Sequence, residues 1–189
     1  MVHYYAPTAR ITGPALDTGG FGRQKTMRSY FILTAVDSIG TTSSGAAAHE
    51  IALQRLAKGL WPLYKGTQNR NAIAQGDRVL VYVGGKNRYK QSFVAMALVS
   101  SVEPVARRLP IIDSPAIVTD APFKVVHLKQ ITYFEPPIEL RPFIGRLDFL
   151  PSTTKWGASL AGGCRRLPVC DFRKILRASG QADSLHLTC

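Results

Sequence analysis

The segment "GLWPLYKGTQNRNAIAQGDRVLVYVGG" (Gly59–Gly85) decides the fold, because it joins a helix end, an irregular stretch and a strand. Its second half, Asp77–Val83, is rich in valine and leucine and predicts a buried strand. Its first half contains Pro62 and Gly66, which disfavour regular structure, so Leu60–Asn71 is predicted to be a loop.

Aromatic and basic side chains alternate in that predicted loop. Trp61 and Tyr64 precede Lys65, and Arg70 follows a run of Thr, Gln and Asn. Lys and Arg neutralise phosphates, amide and hydroxyl groups hydrogen-bond base edges, and an aromatic face stacks on a base. Trp61 follows a helix, however, and such a residue also packs beneath it. Both interpretations of Trp61, core and ligand contact, remain open at this point.

The rest of the chain predicts one α+β domain. Strands are predicted at Tyr30–Val36, Ser92–Val102 and Phe123–Phe134, helices at 41–59 and 169–180, a proline break with a short helix at 135–150, and a turn with a strand at 156–167. Ser43 or Ser44 is the predicted cap of the first helix, and Gly59 its predicted end. This order fits a curled sheet or small barrel spanning residues 28–189. Residues 1–27, rich in Gly, Pro and Thr, are predicted to form a poorly ordered extension.

The charge of the chain predicts a polyanionic partner. The 189 residues contain 24 Lys and Arg against 12 Asp and Glu, a net charge of +12, and the pI is near 10. Between Arg55 and Lys90, eight basic residues accompany one acid, Asp77, which is predicted to close a turn. No apolar run approaches the roughly 18 residues of a membrane helix, and no secretory segment is recognisable. We therefore expect a cytoplasmic protein with no membrane partner, whose three cysteines are reduced.

Motifs that would indicate catalysis or cofactor binding are incomplete. "HEIAL" (His49–Leu53) lacks the second histidine of a zinc protease. "GGK" (Gly84–Lys86) lacks the spacing and the hydroxyl residue of a phosphate loop, and no dinucleotide fingerprint is present. No pair of carboxylates suggests general acid–base chemistry. The sequence predicts no metal, no cofactor and no enzymatic activity.

Three blocks of the sequence resemble the EVE domain family, part of the PUA-like superfamily that includes YTH and ASCH domains. They are "YFILTA" (Tyr30–Ala35), "LWPLYKGTQNRNAIAQGDRVLVYVGG" (Leu60–Gly85) and "FIGRLDFLPSTTKWGASLAGGCRRLPVCDF" (Phe143–Phe172). Their order and spacing carry the resemblance. Thr34-Ala35-Val36-Asp37 stands where relatives have Ser-x-Glu, and Gly84-Gly85 replaces a His-Ser pair.

The resemblance implies a PUA-like pseudo-β-barrel of mixed strands with flanking helices. It also implies a non-catalytic module that holds a flipped-out base of DNA or RNA, often a modified one such as 5-methylcytosine. Carried onto this sequence, the base pocket consists of Thr34, Ala35, Trp61, Tyr64, Thr67, Asn69, Tyr82, Gly84 and Gly85. Lys65, Arg70, Lys86, Arg88 and Lys90 are the expected phosphate contacts. Trp156 is predicted either to pack against the open side of the barrel or to touch the ligand, and Asp171 is predicted to cap the last helix.

Two alternative functions remain open. An ASCH-like hydrolase of modified nucleosides would use Lys65, Thr67 and Glu50, although carboxylates are scarce near the basic segment. A PUA-like RNA-binding module without a preference for modified bases would keep the basic surface and lose the selectivity.

Overall fold

The computed structural model describes residues 28–37, 46–86, 88–105, 121–150 and 154–180. The predicted extension 1–27, the predicted caps Ser43 and Ser44, and Cys189 lie outside these residues. Within them, no helix is long and apolar enough to cross a membrane.

Six strands and two α-helices make up the described chain. They are β1 (Tyr30–Ala35), α1 (Ala48–Lys58), β2 (Leu60–Leu63), β3 (Arg78–Val83), β4 (Ser92–Pro104), β5 (Lys124–Glu139), β6 (Cys164–Leu167) and α2 (Val169–Ala178), with short 3-10 turns at Arg141–Phe143 and Trp156–Leu160. The strands form one mixed sheet in the order β2-β5-β4-β3-β1-β6. Only β1 and β3 are parallel within it; the other neighbouring pairs are antiparallel. The sheet curls into a half-barrel, which is the α+β, PUA-like architecture expected from the sequence.

The sheet carries a hydrophobic core on each face, because successive side chains of a strand point to opposite sides. The first core contains Phe31 and Leu33 of β1 and the buried face of α1. The second core contains Tyr30 and Ile32 of β1 and the buried face of α2. All six residues of β1 are buried, as expected for a strand covered on both sides.

The prediction that Leu60–Asn71 is a loop is wrong for its first four residues, which form β2. Strand β2 is an edge strand and pairs with β5 alone, with Pro62 opposite Val125. Proline is tolerated at an edge, because its missing N–H is not needed by a second neighbour.

The predicted break after Phe134 is also wrong, since β5 continues to Glu139. The register of β4 against β5 shifts between Phe93 and Ala95, whose partners are Ile138 and Tyr133. Pro136 and Pro137 therefore lie in an irregular stretch of the strand, where a bulge accommodates residues that cannot donate to the ladder.

The helix ends are only partly as predicted. Gly59 ends α1 with φ 63°, which confirms its role. The N-cap position of α1 is Ala47, and Asp37 Oδ1 accepts a hydrogen bond from the Ala48 amide at 2.8 Å. The predicted caps Ser43 and Ser44 lie outside the described residues. The helix is thus capped by a residue from the end of the first strand.

Asp171 has a structural role that differs from the predicted cap. It is fully buried in the first turn of α2, and its Oδ2 accepts a hydrogen bond from the Phe149 amide at 3.0 Å. Lys174 Nζ donates to its other oxygen at 3.3 Å, and this contact raises the pKa of Lys174. Asp171 therefore fastens the segment before the second 3-10 turn to α2. Trp156 is half-buried and packs against the second core.

Candidate functional site

The carboxyl ends of β1 and β3 lie side by side, because these two strands are parallel. Thr34 is paired with Tyr82, and Ala35 with Val83. The Gly84 amide donates a hydrogen bond to the Ala35 carbonyl at 2.8 Å, which holds the two strand ends together. The predicted pocket residues of these strands are therefore adjacent.

The loop after β2 (residues 64–71, here the bridging loop) crosses to the opposite edge of the sheet. The Gln68 amide donates to the Gly162 carbonyl at 2.9 Å. Asn69 Nδ2 donates to the Cys164 carbonyl at 3.0 Å. Since β2 and β6 are the two edge strands, this loop connects the open sides of the half-barrel.

The strand ends and the bridging loop meet at the turn before β6. The Thr34 amide donates to the Gly163 carbonyl at 2.9 Å. A Cβ atom at Gly163 would lie 3.4 Å from Thr67 Cγ2, so the loop packs directly on this glycine. This region is here called the junction. It consists of Thr34, Ala35, the bridging loop and Gly162–Cys164. The sequence placed its members in separate blocks, and the fold brings them together.

The bridging loop is held by its own side chains. Thr67 Oγ1 accepts a hydrogen bond from the Tyr64 amide at 2.9 Å, and Thr67 is buried. Arg70 Nη1 donates to the Thr67 carbonyl at 3.2 Å. Asn69 adopts φ 52°, a conformation that asparagine tolerates better than most residues. The Thr67 and Asn69 side chains thus shape the loop.

Thr34 has a buried hydroxyl oxygen without a hydrogen-bond partner among the described residues. The residue is 8% exposed. Leaving a buried hydroxyl unpaired costs about 1–3 kcal/mol, so such groups are rare in native proteins. The Thr34 hydroxyl therefore lacks the hydrogen-bond partner that a buried group in a native protein normally has.

Trp61 does not contribute an aromatic face to the junction. It is 1% exposed and belongs to the first core. The Arg55 guanidinium lies 5.0 Å from its ring centroid. The predicted stacking of a base on Trp61 is wrong for this conformation, because strand β2 turns the indole into the barrel interior.

Tyr82 and Gly85 also differ from the sequence prediction. Tyr82 is 2% exposed and packs on Phe93 with ring centroids 5.4 Å apart; burial raises the pKa of its phenol. A Cβ atom at Gly85 would overlap the Asp37 carboxylate and lie 2.8 Å from Ala48 Cβ. Gly85 therefore permits close packing against the start of α1, not the approach of a ligand. Among the predicted pocket aromatics, Tyr64 is the half-buried one.

Asp37 organises this packing. Its Oδ1 accepts from the Ala48 amide and its Oδ2 from the Lys86 amide at 3.1 Å. These two hydrogen bonds, together with the Lys86 charge, lower the pKa of Asp37. The end of β3 is thereby fixed to the start of α1.

The predicted phosphate contacts form two groups. Lys65 and Arg70 belong to the bridging loop; Lys65 is exposed and Arg70 half-buried. Lys86, Arg88 and Lys90 are exposed on the turn between β3 and β4, within which Asn87 lies outside the described residues. The Arg88 guanidinium lies 4.7 Å from the ring centroid of Tyr89.

Several residues considered for catalysis or metal binding make contacts within or near α1 and β3. Glu50 Oε2 accepts from the Ala47 amide at 3.3 Å in the first turn of α1. His49 is half-buried, with its ring edge-on to Tyr89 at 6.1 Å. Asp77 accepts from the Ala74 amide at 2.8 Å, which confirms its predicted turn role. Within the described ranges, no group of three or more His, Cys, Asp and Glu could hold a metal ion.

The cysteines in the described part of the chain are free thiols. Cys164 is buried and Cys170 is half-buried. Burial raises the pKa of the Cys164 thiol to about 12, so this thiol stays protonated at neutral pH.

One aromatic residue beside the bridging loop has no role in the sequence predictions. Phe123 directly precedes β5 and is 45% exposed. The Arg70 guanidinium and the Lys124 ammonium lie 5.6 and 5.8 Å from its ring centroid. The sequence does contain a signal for such a site, namely an aromatic residue followed by lysine. Phe123 was instead interpreted as the first residue of the strand predicted at Phe123–Phe134.

Solved structures share this fold at low sequence identity. No protein-family model matches the sequence, and no curated protein matches it significantly. Human THYN1 protein, solved in complex with 5-methylcytosine-containing DNA, is 13% identical, with a TM-score of 0.52 over 80% of this chain and 97% of that chain. A protein of Rhodopseudomonas palustris is 15% identical, with a TM-score of 0.51 over 85% of this chain and 99% of that chain. The N-terminal domain of Staphylothermus marinus McrB is 10% identical, with a TM-score of 0.50 over 78% of this chain and 93% of that chain.

These likenesses bear on the architecture of the chain. The matched proteins include an EVE/PUA-like domain, the type of fold that the three sequence blocks resemble. The chain therefore has a PUA-like α+β fold.

Proposed function

We propose that this chain is a non-catalytic nucleic-acid-binding module that receives a flipped-out, modified base at the junction. The observation that carries the proposal is the buried Thr34 hydroxyl, which has no partner among the described residues and lies where two strand ends meet a basic loop. A polar group buried without a partner suggests that a ligand supplies the partner.

The charge of the chain supports a nucleic-acid partner. The net charge is +12; exposed Lys65 lies in the bridging loop, and exposed Lys86 lies on the turn after β3. Such residues hold phosphates on either side of an extruded nucleotide. Most of the affinity then comes from phosphate contacts and falls as the salt concentration rises.

The polar groups of the junction suit the edge of a base. The Thr34 hydroxyl can donate and accept, and the carbonyls and amides at the strand ends add backbone partners. Thr67 and Asn69 shape the wall, and Tyr64 provides aromatic surface. Trp61 is left out of this set because its ring is covered.

The comparisons support the same class of partner. THYN1 was solved with 5-methylcytosine-containing DNA, and its fold matches this chain over 80% of the length. We therefore propose that the base carries a modification. Extruding a base costs a few kcal/mol, whereas a single buried methyl group contributes about 1 kcal/mol or less. Selectivity for the modification should accordingly be modest, about fivefold.

A binding panel with a matched variant tests the proposal. Oligonucleotides of DNA and RNA containing methylated, hydroxymethylated or unmodified C and A would be titrated at one salt concentration. Wild-type protein should prefer one modified base. Thr34→Val removes the hydroxyl at nearly constant volume, so it should weaken binding of that oligonucleotide several-fold without loss of stability. Thr132→Val in β5 serves as the control.

Three outcomes would overturn the proposal. Unchanged binding by Thr34→Val would remove the junction as the site. Equal affinity for modified and unmodified oligonucleotides, with a steep salt dependence, would indicate a general RNA- or DNA-binding module. Turnover of acylated nucleosides would indicate a hydrolase.

A further inference from the structure

Phe123 is an exposed aromatic residue that directly precedes β5, at the end of the sheet where β2 finishes. The residue retains 45% of its accessible surface. Its amide donates a hydrogen bond to the Leu63 carbonyl at 2.8 Å, and its carbonyl accepts from the Val105 amide at 3.2 Å. The backbone at Phe123 is therefore fixed where β2 ends and the bridging loop begins, while the side chain stays open.

Two cations flank this ring. Arg70 Cζ and Lys124 Nζ lie 5.6 and 5.8 Å from the ring centroid, near the outer limit of a cation–π contact. Lys124 Nζ is held by Asn71 Oδ1 at 2.9 Å and by the Arg70 carbonyl at 3.4 Å. The ring and both cations are thus part of one ordered cluster.

The positive charge of the cluster is not neutralised within the described part of the chain. Arg70 Nη1 donates to a carbonyl, and Arg70 Nε is buried with no hydrogen-bond partner among the described residues. Lys124 is bonded to a neutral amide and a carbonyl. Neither residue forms an ion pair with a described carboxylate. An anionic ligand would satisfy both cations.

The cluster is connected to the junction through the bridging loop. Thr67 and Asn69 of that loop contact the turn before β6, whereas Arg70 and Asn71 contact Phe123 and Lys124. A nucleic-acid strand that places one nucleotide at the junction would therefore have the Phe123 cluster close to its next nucleotide.

We propose that Phe123, Arg70 and Lys124 form a second nucleotide subsite, which takes an unpaired nucleotide next to the one held at the junction. Its base stacks on Phe123, and its phosphate lies between the two cations. This inference rests on the proposed nucleic-acid function. The ligand of the subsite is the single-stranded segment next to the nucleotide held at the junction. An aromatic face with adjacent cations is the usual means of binding single strands without reading their sequence.

Single-strand affinity tests the subsite. The probe is a fluorescent single-stranded DNA of mixed sequence, about 12 nucleotides long, titrated with the full chain. Phe123→Ala should weaken binding about 5- to 150-fold, the range expected for loss of one base–aromatic stack. Phe123→Tyr should retain most of the affinity, because it keeps the ring. Tyr133→Ala is the matched control, since Tyr133 is a similarly exposed aromatic (43%) further along β5, with no described cation over its ring.

Salt dependence separates the stacking residue from the phosphate contacts. Arg70→Ala and Lys124→Ala should each reduce the slope of log affinity against log salt by about 0.7, whereas Phe123→Ala should leave the slope unchanged. A structural role of Phe123 would instead change the unfolding midpoint and leave binding intact.

The possible failures are distinguishable. If wild-type protein and Phe123→Ala bind the probe equally, the subsite is overturned and the junction proposal stands. If wild-type protein binds neither this probe nor any oligonucleotide of the modified-base panel, the proposed function fails and the subsite fails with it.

Discussion

Two aromatic residues, each accompanied by an arginine, occupy opposite environments in this molecule. Trp61 lies in the first core at 1% exposure, with Arg55 stacked on its ring at 5.0 Å. Phe123 lies just before β5 at 45% exposure, with the Arg70 guanidinium 5.6 Å from its ring centroid. Strand β2 links the two residues: it contains Trp61, and the carbonyl of its last residue, Leu63, accepts a hydrogen bond from the Phe123 amide.

The comparison shows that residue type alone does not assign a role to an aromatic–cation pair. The interior ring has lost its solvent on every side, so it contributes to packing and shape. The exterior ring is half-exposed, and the cation beside it has no described carboxylate partner, so the pair can contribute to ligand binding. Burial decides which of the two roles applies.

Removing the two rings should give the largest contrast. Trp61→Ala leaves a cavity in the first core and should lower the free energy of unfolding by about 3–5 kcal/mol. Phe123→Ala, at a half-exposed position, should lower it by about 1 kcal/mol or less. Chemical denaturation of both variants, followed by circular dichroism, measures the difference. Equal losses would mean that the two environments do not differ as the structure indicates.

A smaller loss of stability is expected from substituting Gly85, which lies beside the first core, than from removing Trp61. A methyl group at Gly85 would overlap the Asp37 carboxylate and approach Ala48, where α1 begins to cover the first core. Gly85→Ala should therefore lower the free energy of unfolding by about 1–3 kcal/mol. A methyl group at Gly66 in the bridging loop would meet no other atom within 4 Å, so Gly66→Ala is the matched control. A neutral result for Gly85→Ala would show that α1 can move away from the strand end at little cost.

The smallest effect concerns the carboxylate that caps α1. Its hydrogen bonds to the Ala48 and Lys86 amides lower the pKa of Asp37, so the stabilisation is present above the ordinary pKa of about 3.9 and is lost as the pH falls through the lower folded value. Asp37→Ala should lower the free energy of unfolding by about 1 kcal/mol between pH 5 and 8.

The difference between wild type and Asp37→Ala should narrow below about pH 4. Denaturation curves at pH 7 and pH 3 measure it. Asp37→Asn retains one acceptor oxygen and removes the titration, so it separates the hydrogen bond from the charge. A difference that stays constant down to pH 3 would contradict the lowered pKa.

Much of the fold was predictable because its signals are local. The valine-rich run of β3, the apolar run of β1, and Gly59 at the end of α1 each follow from neighbouring residues. The strand at Leu60–Leu63 was missed, since Pro62 opposes a strand unless the segment lies at a sheet edge. Edge position is a property of the whole sheet and has no local signal.

The candidate site was predictable only in part. Thr34, Ala35, Thr67, Asn69 and Gly84 do come together, in a region that the three sequence blocks indicated. Gly85 was misassigned because its space is filled by Asp37, which belongs to a different segment of the chain. Phe123 was missed because its link to Arg70 depends on the pairing of β2 with β5.

The sequence by itself determined the class of this protein: a basic α+β chain, with its strands, its helix end and its concentration of cations around one segment. These follow from periodicity, glycine conformation and charge, which neighbouring residues carry. The tertiary structure decided which aromatic is covered and which is open, and which hydroxyl is left without a partner among the described residues. Solvent exposure is set by residues that are distant in sequence, because a side chain is buried only when other segments pack over it.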